Sequence, residues 1–243
     1  MVRKCINKKR IAVTIILTMA LMYFYGVAPC SLTYADDSLV VAHITDPHIG
    51  NNVKYNQRFS SILWMAEKEA DIIFLTGDLT NGPKKSEAMM QDFLDRIKDI
   101  KIPIILLRGN HDDPAVFTGM IGAVDSVNDI GNYRIIGIDT LNINFDWLEQ
   151  WMVNDKIMII LGHYPLKTIK GINASRLQEL FLRFNVIAYF SGHTTNTVAR
   201  SEETVLITSP HSKTGQFAIV NIQGRTVESI RNIRFEMSEV AIP

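Results

Sequence analysis

The chain has 243 residues, of which 47% are hydrophobic and 21% are charged, a size and composition typical of one globular domain. Its formal net charge is zero, but the five basic residues before position 36 have no acidic residue beside them. Residues 36–243 therefore carry about −5, from 20 Lys and Arg against 25 Asp and Glu. Binding to polymeric nucleic acid depends on basic surfaces, so we expect no nucleic-acid polymer as a partner.

The first 35 residues have the pattern of an export signal. A basic stretch up to Arg10 precedes an apolar run over residues 11–28, and the small residues Thr33 and Ala35 favour cleavage before Asp36. The 18-residue run is also near the lower limit for crossing a bilayer, so an uncleaved membrane tether is the alternative. By either route we predict a secreted or membrane-anchored protein whose residues 36–243 form a single domain.

Cysteine usage narrows the chemistry of that domain. Both cysteines, Cys5 and Cys30, lie in the N-terminal segment, and Pro29 disfavours lipid attachment at Cys30. The predicted domain then has no thiolate chemistry, no disulfide and no cysteine-bound metal. Any metal ion in it must be bound by Asp, Asn and His side chains.

Short apolar runs alternate with helical patterns along the predicted domain. Strands are predicted at residues 39–44, 72–76, 104–107, 133–138, 157–161 and 186–190, where several runs are apolar at nearly every position. Helices are predicted at residues 57–70, 86–100, 145–152 and 174–184. The last third predicts strands at residues 204–208, 216–222 and 225–231. The sequence thus predicts one layered α/β domain with a β-rich C-terminal third.

Polar clusters directly follow five of the predicted strands. They are Asp46-Pro47-His48, Gly77-Asp78, Gly109-Asn110-His111-Asp112, Gly162-His163 and Gly192-His193. The carboxyl ends of strands in an open α/β sheet meet at one crevice, so we expect these side chains to form one site. Glycines in these turns let the backbone bend sharply and approach the site closely.

In this order, the clusters resemble the motifs of the calcineurin-like metallophosphoesterase superfamily: Asp-x-His, Gly-Asp, Gly-Asn-His-Asp/Glu, Gly-His and Gly-His-x-His. The resemblance spans about residues 40–195, and the surroundings of Asp78 and His163 are most similar to the phosphodiesterase-type branch. It implies a layered αββα sandwich with mixed sheets. It also implies that a metal-activated hydroxide hydrolyses a small phosphate mono- or diester at a site with two divalent ions.

The resemblance further implies six metal ligands and two catalytic residues. The ligands are Asp46, His48, Asp78, Asn110, His163 and His193. The first two would bind the first ion, Asp78 would bridge both ions, and the last three would complete the second site. His111 would face the scissile phosphate and protonate the leaving oxygen or stabilise its charge. Asp112 would orient His111 through a hydrogen bond.

Elementary electrostatics leads to the same cofactors. Three carboxylates brought together in a partly buried crevice (Asp46, Asp78 and Asp112) repel one another unless cations compensate their charge. Two divalent ions about 3.5–4 Å apart supply that charge and clamp the attacking and leaving oxygens. They also lower the pKa of bound water from about 15.7 toward about 7. Mixed Asp, Asn and His ligation suits Mn, Fe, Zn or Ni without choosing among them.

One position departs from the family pattern. Thr195 stands where the last motif has its second histidine, which the resemblance assigns to the first ion. Water could fill the gap, His211 could reach into the site, or the first ion could bind weakly. The alternative function is therefore a catalytically reduced phosphoester-binding protein with one ion. A membrane-tethered interaction module without metal is disfavoured, because the second site has all its ligands.

Two histidines lie outside the motifs. His43, within the first predicted strand, is interpreted as a half-buried structural residue. His211 follows a C-terminal strand and is interpreted as an exposed loop histidine rather than a ligand. Substrate selection is expected to depend on loops around the crevice, at residues 49–57 and 114–132.

Overall fold

The computed structural model describes residues 37–236, except residues 51, 83–85, 154 and 195. The predicted export signal or tether at residues 1–35, with both cysteines, and Thr195 lie outside the described residues. Within the described ranges, no helix combines the length and the apolar character needed to span a membrane.

The described part of the chain contains five α-helices and eleven strands. The helices are α1 (Val53–Glu69), α2 (Ser86–Ile97), α3 (Pro114–Met120), α4 (Phe145–Trp151) and α5 (Ile172–Arg183). The strands are β1 (Ser38–Ile44), β2 (Ile72–Thr76), β3 (Ile104–Leu107), β4 (Ser126–Ile130), β5 (Tyr133–Gly137), β6 (Ile157–Leu161), β7 (Val186–Ser191), β8 (Thr197–Ser201), β9 (Thr204–Thr208), β10 (Gln216–Gln223) and β11 (Thr226–Arg234).

The strands form two mixed sheets. The first has the order β11-β10-β1-β2-β3, with β1, β2 and β3 parallel and with β10 and β11 added as antiparallel neighbours. The second has the order β4-β5-β6-β7-β9-β8, parallel in its centre, with antiparallel β4 and β8 at its edges. The parallel strands of each sheet therefore end at a common edge.

The two sheets face each other and carry helices on their outer sides. Phe74 of the first sheet and Phe190 of the second belong to the core between the sheets. The neighbours of Phe74 in β2, Ile73 and Leu75, point the other way into the core under α1, α2 and α3. Helices α4 and α5 pack on the outer face of the second sheet, where Leu177 is buried. This alternation explains why the strands are apolar at every position, and the predicted αββα sandwich is confirmed.

Helix α1 begins four residues before its predicted start at position 57. The Asn52 side chain accepts hydrogen bonds from the backbone N–H groups of Lys54 and Tyr55, which is the arrangement of a helix N-cap. The cap and the first turn of this helix lack a clear apolar periodicity. The apolar pattern therefore predicted a start that is too late in the sequence.

The predicted loop at residues 114–132 is wrong in part, because it contains α3 and β4. Helix α3 begins with Asp113 as its N-cap and Pro114 at its first position, a favourable pair for starting a helix. Strand β4 pairs with β5 from Ser126 to Ile130 and is only partly buried, so it lacks a clear apolar alternation. Strand β8 was missed for the same reason, since it is mostly exposed.

Candidate metal centre

The loops after β1 and β2 are joined by backbone hydrogen bonds. The Asp46 N–H donates to the Gly77 carbonyl over 3.1 Å, and the His48 N–H donates to the Asp78 carbonyl over 3.1 Å. These bonds fix the first two clusters of predicted ligands side by side at the carboxyl edge of the first sheet.

The loops of the second sheet meet this edge from the opposite side. The Gly192 N–H donates to the His163 carbonyl over 2.9 Å, and the His163 ring Nδ1 lies 2.8 Å from the Thr76 carbonyl of the first sheet. The His193 N–H donates to Asp46 Oδ2 over 3.0 Å. The structure therefore brings predicted ligands from both sheets into one crevice.

Several of these residues have a strained backbone. In the described part of the chain six non-glycine residues have positive φ, and four of them are predicted ligands: Asp46 at 54°, His48 at 48°, Asp78 at 50° and His193 at 64°. Such conformations cost on the order of 1–3 kcal/mol each and cluster at functional sites. The fold maintains this strain at the positions where the motifs predict metal binding.

Asp78 lies at the centre of the site. Its carboxylate is buried, with 2% of the side chain exposed. Oδ2 lies 3.6 Å from His48 Nε2 and 4.0 Å from His111 Nε2, whereas Oδ1 lies 3.4 Å from His163 Nε2. These distances exceed the roughly 2.7–2.9 Å of a charge-assisted hydrogen bond, and they leave room for an ion between the groups.

Two groups of three side chains place their ligand-type atoms within 4.8 Å of one another. One group is His48, Asp78 and His111, and the other is Asp78, His163 and His193. Asp78 belongs to both groups, as expected for a carboxylate that bridges two ions. The first group differs from the predicted ligand set, because it contains His111, which was predicted to face the phosphate, and lacks the predicted ligand Asp46. In addition, among the described residues, His48 Nδ1 is buried and has no hydrogen-bond partner.

The two ring nitrogens of His163 have different partners. Nδ1 lies 2.8 Å from the Thr76 carbonyl, to which an Nδ1–H donates. Nε2 lies 3.0 Å from Asn110 Oδ1, so it faces another predicted ligand. Such backbone contacts of the far nitrogen are typical of metal-binding histidines. The donor set thus fits a metal ion.

Asp46 uses its two carboxylate oxygens differently. Oδ2 accepts hydrogen bonds from Thr45 Oγ1 over 2.7 Å and from the His193 N–H over 3.0 Å. Oδ1 faces two imidazoles instead, with His48 Nε2 at 3.6 Å and His211 Nε2 at 3.8 Å. The first predicted ligand therefore points one oxygen into the crevice.

The charges of these groups suit metal binding. Burial opposes ionisation of Asp46, but His48, His163 and His211 hold the pKa of this carboxyl well below its usual range. Burial, followed by the nearby His163, lowers the pKa of His193. Burial also lowers the pKa of His211. An ionised carboxylate and neutral imidazoles are the forms that bind divalent metals.

His111 differs from the other histidines of the site in its exposure. Its side chain is 44% exposed, whereas His163 is completely buried. The backbone N–H of His111 donates to Asp78 Oδ1 over 2.8 Å. The centre of the His111 ring lies 4.8 Å from the centre of the His48 ring. His111 therefore stands at the mouth of the crevice, beside the predicted ligands and open to solvent.

The predicted hydrogen bond from Asp112 to His111 is wrong. Asp112 Oδ2 accepts from the N–H groups of Gly109 and Leu79, over 2.8 and 3.0 Å. Oδ1 accepts from the N–H and the hydroxyl of Thr80, over 2.8 and 2.9 Å. These four donors occupy the carboxylate, so Asp112 joins the loop after β3 to the loop after β2 instead of contacting His111.

The structural role of His43 agrees with the structure, but its burial is complete rather than partial. Its Nε2 lies 2.9 Å from Thr76 Oγ1 and its Nδ1 lies 2.6 Å from Ser209 Oγ. The side chain is completely buried, and this burial lowers its pKa to about 3. His43 is therefore neutral and connects the two sheet edges below the crevice.

Two neighbours of the site were not predicted as part of it: Tyr164 was missed, and His211 was favoured as an exposed loop residue. The interpretation of His211 as an exposed loop residue is wrong, because its side chain is 23% exposed and faces Asp46. Tyr164 packs with its ring centre 4.4 Å from that of His193. Its place directly after His163 was the one available signal for Tyr164, whereas His211 is one of the three ways to fill the gap at Thr195 that the sequence leaves open.

With this geometry established, the chain can be compared with known proteins. Residues 39–196, well over half of the chain, match the family described as calcineurin-like phosphoesterase. The chain belongs to the calcineurin-like phosphoesterase family. The family resemblance of the motifs is thereby confirmed.

Curated relatives of the family agree with this assignment. The chain is 35% identical over 188 residues to the DNA double-strand break repair protein Mre11 of Sulfurisphaera tokodaii, covering 63% of this chain and 49% of that protein. It is 22% identical over 205 residues to a probable cyclic nucleotide phosphodiesterase of Fibrobacter succinogenes, covering 70% of this chain and 78% of that one. The chain thus spans about half the length of its Mre11 relative.

Solved structures of the family share the fold. A purple acid phosphatase from yellow lupin superposes with a TM-score of 0.62 at 12% identity, covering 82% of this chain and 54% of that one. The TT1561 protein of Thermus thermophilus superposes with a TM-score of 0.59 at 14% identity, covering 81% and 98%. At these identities the likeness concerns the fold, and it agrees with the two-sheet sandwich described above.

Proposed function

We propose that this protein hydrolyses a small phosphate mono- or diester with two divalent ions. The observation that carries the proposal is the position of Asp78, whose buried carboxylate belongs to both groups of ligand-type side chains. Membership of the phosphoesterase family supports it. The strained backbone at four of the predicted ligands supports it as well.

The six predicted ligands are the residues that would hold the ions. They are Asp46 and His48 for the first ion, Asp78 for both, and Asn110, His163 and His193 for the second. Two bound divalent ions supply a hydroxide nucleophile at neutral pH and compensate the charge of the phosphate oxygens. Mn, Fe, Zn and Ni all suit such a mixed donor set, and the proposal does not choose among them.

His111 is assigned to proton transfer. Its imidazole is exposed at the mouth of the crevice, where the leaving oxygen of a bound ester would lie, and its backbone N–H is fixed by Asp78. General acid catalysis by a positioned histidine typically contributes about 10²–10⁴-fold. Asp112 is a positioning residue, because its four hydrogen bonds hold the turn that carries His111.

A small ester is proposed over a nucleic-acid polymer because residues 36–243 carry a net negative charge. The names of the relatives refer to cyclic nucleotides in one case and to DNA repair in the other. A cyclic nucleotide is the proposed substrate, because it is a small phosphodiester and one of these relatives is named as a probable cyclic nucleotide phosphodiesterase.

The competing function is a phosphoester-binding protein that holds one ion and has lost catalysis. Thr195 favours it, because the family pattern has a ligand at this position. Such a protein would bind phosphate esters without hydrolysing them, so an activity assay separates the two functions.

The test is hydrolysis by the purified full chain after chelation and after addition of manganese. The substrates are p-nitrophenyl phosphate, bis-p-nitrophenyl phosphate, 3′,5′-cyclic AMP and duplex DNA. We expect manganese-dependent cleavage of a small ester and little cleavage of DNA. In His111→Ala we expect kcat to fall about 10²–10⁴-fold while bound manganese is unchanged.

Two results would count against the proposal. A folded, manganese-loaded wild type that cleaves none of the esters contradicts hydrolysis and favours the binding protein. Efficient cleavage of duplex DNA without cleavage of the small esters contradicts the proposed substrate class.

A further inference from the structure

We propose that His211 is a protein ligand of the first metal ion. It would replace the histidine ligand that the family pattern has at the position of Thr195. The inference rests on the proposed two-metal function and extends its ligand set by a residue outside the family motifs. His211 lies 15 positions beyond the end of the region that matches the family, at residues 39–196.

The position of the His211 ring supports this role. Its Nε2 lies 3.8 Å from Asp46 Oδ1, and His48 Nε2 lies 3.6 Å from the same oxygen. Both distances are too long for hydrogen bonds. Asp46, His48 and His211 are not among the groups of described residues whose ligand atoms all lie within 4.8 Å of one another, so the two imidazoles must move closer together for one ion to contact both. Metal–ligand bonds of about 2.1 Å would place neighbouring ligand atoms about 3–3.5 Å apart.

The free oxygen of Asp46 points to the same place. Its other oxygen is already occupied by Thr45 Oγ1 and the His193 N–H. Oδ1 therefore has the two imidazoles as its facing groups. A carboxylate oxygen that faces two imidazole nitrogens is a suitable donor set for Mn, Fe, Zn or Ni.

The backbone fixes His211 directly against the first motif. His211 forms a parallel bridge with Thr45, which immediately precedes Asp46. The Ser212 N–H donates to the Thr45 carbonyl over 2.8 Å, and the Lys213 N–H donates to the Asp46 carbonyl over 3.3 Å. The segment that carries His211 is therefore held by the same residues that hold the first predicted ligand.

A buried side-chain contact strengthens this attachment. Ser209 Oγ, two positions before His211, lies 2.6 Å from His43 Nδ1, and His43 also contacts Thr76 Oγ1. All three residues are completely buried. The turn is thus anchored to both β1 and β2, so His211 has a defined place beside the crevice.

The structure also contains the competing role for His211. Its Nε2 lies 3.1 Å from the Thr194 carbonyl, to which a protonated Nε2 would donate. Metal binding requires the other tautomer, with the proton on Nδ1. If His211 only tethers residue 194, its removal would disturb the loop without removing a ligand, and the experiment has to separate these roles.

The experiment counts manganese bound to the chelator-treated full chain, from the loss of the free Mn²⁺ signal in electron paramagnetic resonance. We expect wild type to bind two ions per chain. His211→Ala should keep one ion and bind the other at least 10-fold more weakly, since even loss of an outer partner of a ligand costs about 10–100-fold. Thr195→His in the His211→Ala background should restore the second ion.

Two further variants keep the result interpretable. Thr214→Ala removes the hydrogen bond to the His211 carbonyl from the same turn, 2.7 Å long, without altering the ring, and it should bind manganese like wild type. His211→Gln keeps a donor for the Thr194 carbonyl but lacks the imidazole. It should show the same loss as the alanine variant, and it replaces that variant if His211→Ala does not fold.

The inference is overturned if His211→Ala and His211→Gln bind two ions with wild-type affinity, which leaves ester hydrolysis by the wild type untouched. It is also overturned if Thr195→His fails to restore the lost ion, because the loss would then come from a disturbed loop. Wild type that binds no manganese contradicts both this inference and the proposed function.

Discussion

Asp112 shows at the residue scale how a carboxylate can serve a site without entering it. Its two oxygens accept from Gly109, Leu79 and Thr80, and 2% of the residue is exposed. The family resemblance implied a hydrogen bond between Asp112 and its sequence neighbour His111. Sequence spacing fixes the neighbourhood of a residue but not the direction of its side chain, so the partners of Asp112 could not be read from the motif.

We predict that Asp112→Ala destabilises the protein by about 3 kcal/mol or more, because three buried N–H groups lose their acceptor at about 1–3 kcal/mol each. The adjacent Asp113→Ala is the matched control. It removes the N-cap of α3, with two hydrogen bonds from Ala115 and Val116, and should cost about 1 kcal/mol. The free energy of unfolding in urea measures both variants.

Equal losses in the two variants would contradict the buried-acceptor account of Asp112. We also expect His111 to lose its fixed position in Asp112→Ala, so kcat should fall more in this variant than in Asp113→Ala.

The sequence offered His211 as one of three ways to compensate for Thr195 and did not choose among them. The five motifs predicted the ligands because each follows a buried strand. His211 follows β9 through a short turn and belongs to no motif, and only the register of that turn against Thr45 brings it to Asp46. Such a tertiary contact has no local sequence signal.

At the element scale, the ends of the parallel strands explain where the site forms. The strands β2, β6 and β7 are buried along their whole length, and their apolar runs predicted them almost to the residue. Helix α3 and the strands β4 and β8 were missed, because short or half-exposed elements carry weak periodicity. The missed strands β4 and β8 form sheet edges, whereas the predicted strands precede the predicted ligands.

Glycine at the end of β7 is required by the close approach of the two sheets. A Cβ at Gly192 would overlap Thr45 Oγ1 and lie 2.7 Å from Asp46 Oδ2. We predict that Gly192→Ala costs about 1–3 kcal/mol of stability through overpacking. Because it displaces Asp46, manganese affinity should also fall at least 10-fold, on the scale of disturbed ligand support.

Gly119→Ala in α3 is the control, since a Cβ there meets no atom within 4 Å. This variant should keep wild-type manganese affinity and gain up to about 1 kcal/mol from helix propensity. Calorimetric manganese titration and urea unfolding measure both variants. Unchanged affinity in Gly192→Ala would mean that Asp46 tolerates displacement, contrary to its proposed role.

At the scale of the whole molecule, the site depends on the packing of one sheet against the other. Asp46, Asp78 and Asn110 follow strands of the first sheet, and His163 and His193 follow strands of the second. The apolar core between the sheets therefore determines the distances among the proposed ligands. Metal binding is expected to stabilise this packing in turn, because ligands on both sheets share the ions.

The order of the motifs predicted the fold and the convergence of the site, because both follow from buried parallel strands. The structure does not describe residues 1–36 or Thr195, so export, membrane tethering and the effect of the missing histidine stay predictions. The substrate likewise could not be predicted from the motifs, since they predict the residues that would face the phosphate rather than those that would face the rest of the ester.

The central claim is that Asp78 joins two metal sites that hydrolyse a phosphate ester. The most direct measurement is bis-p-nitrophenyl phosphate hydrolysis as a function of manganese concentration, by wild type and by Asp78→Asn, which removes the charge and little volume. We predict manganese-dependent turnover in wild type, and in the variant at least a 10-fold higher manganese requirement with kcat reduced about 10²-fold or more. Identical manganese dependence and turnover in a folded Asp78→Asn would contradict the account.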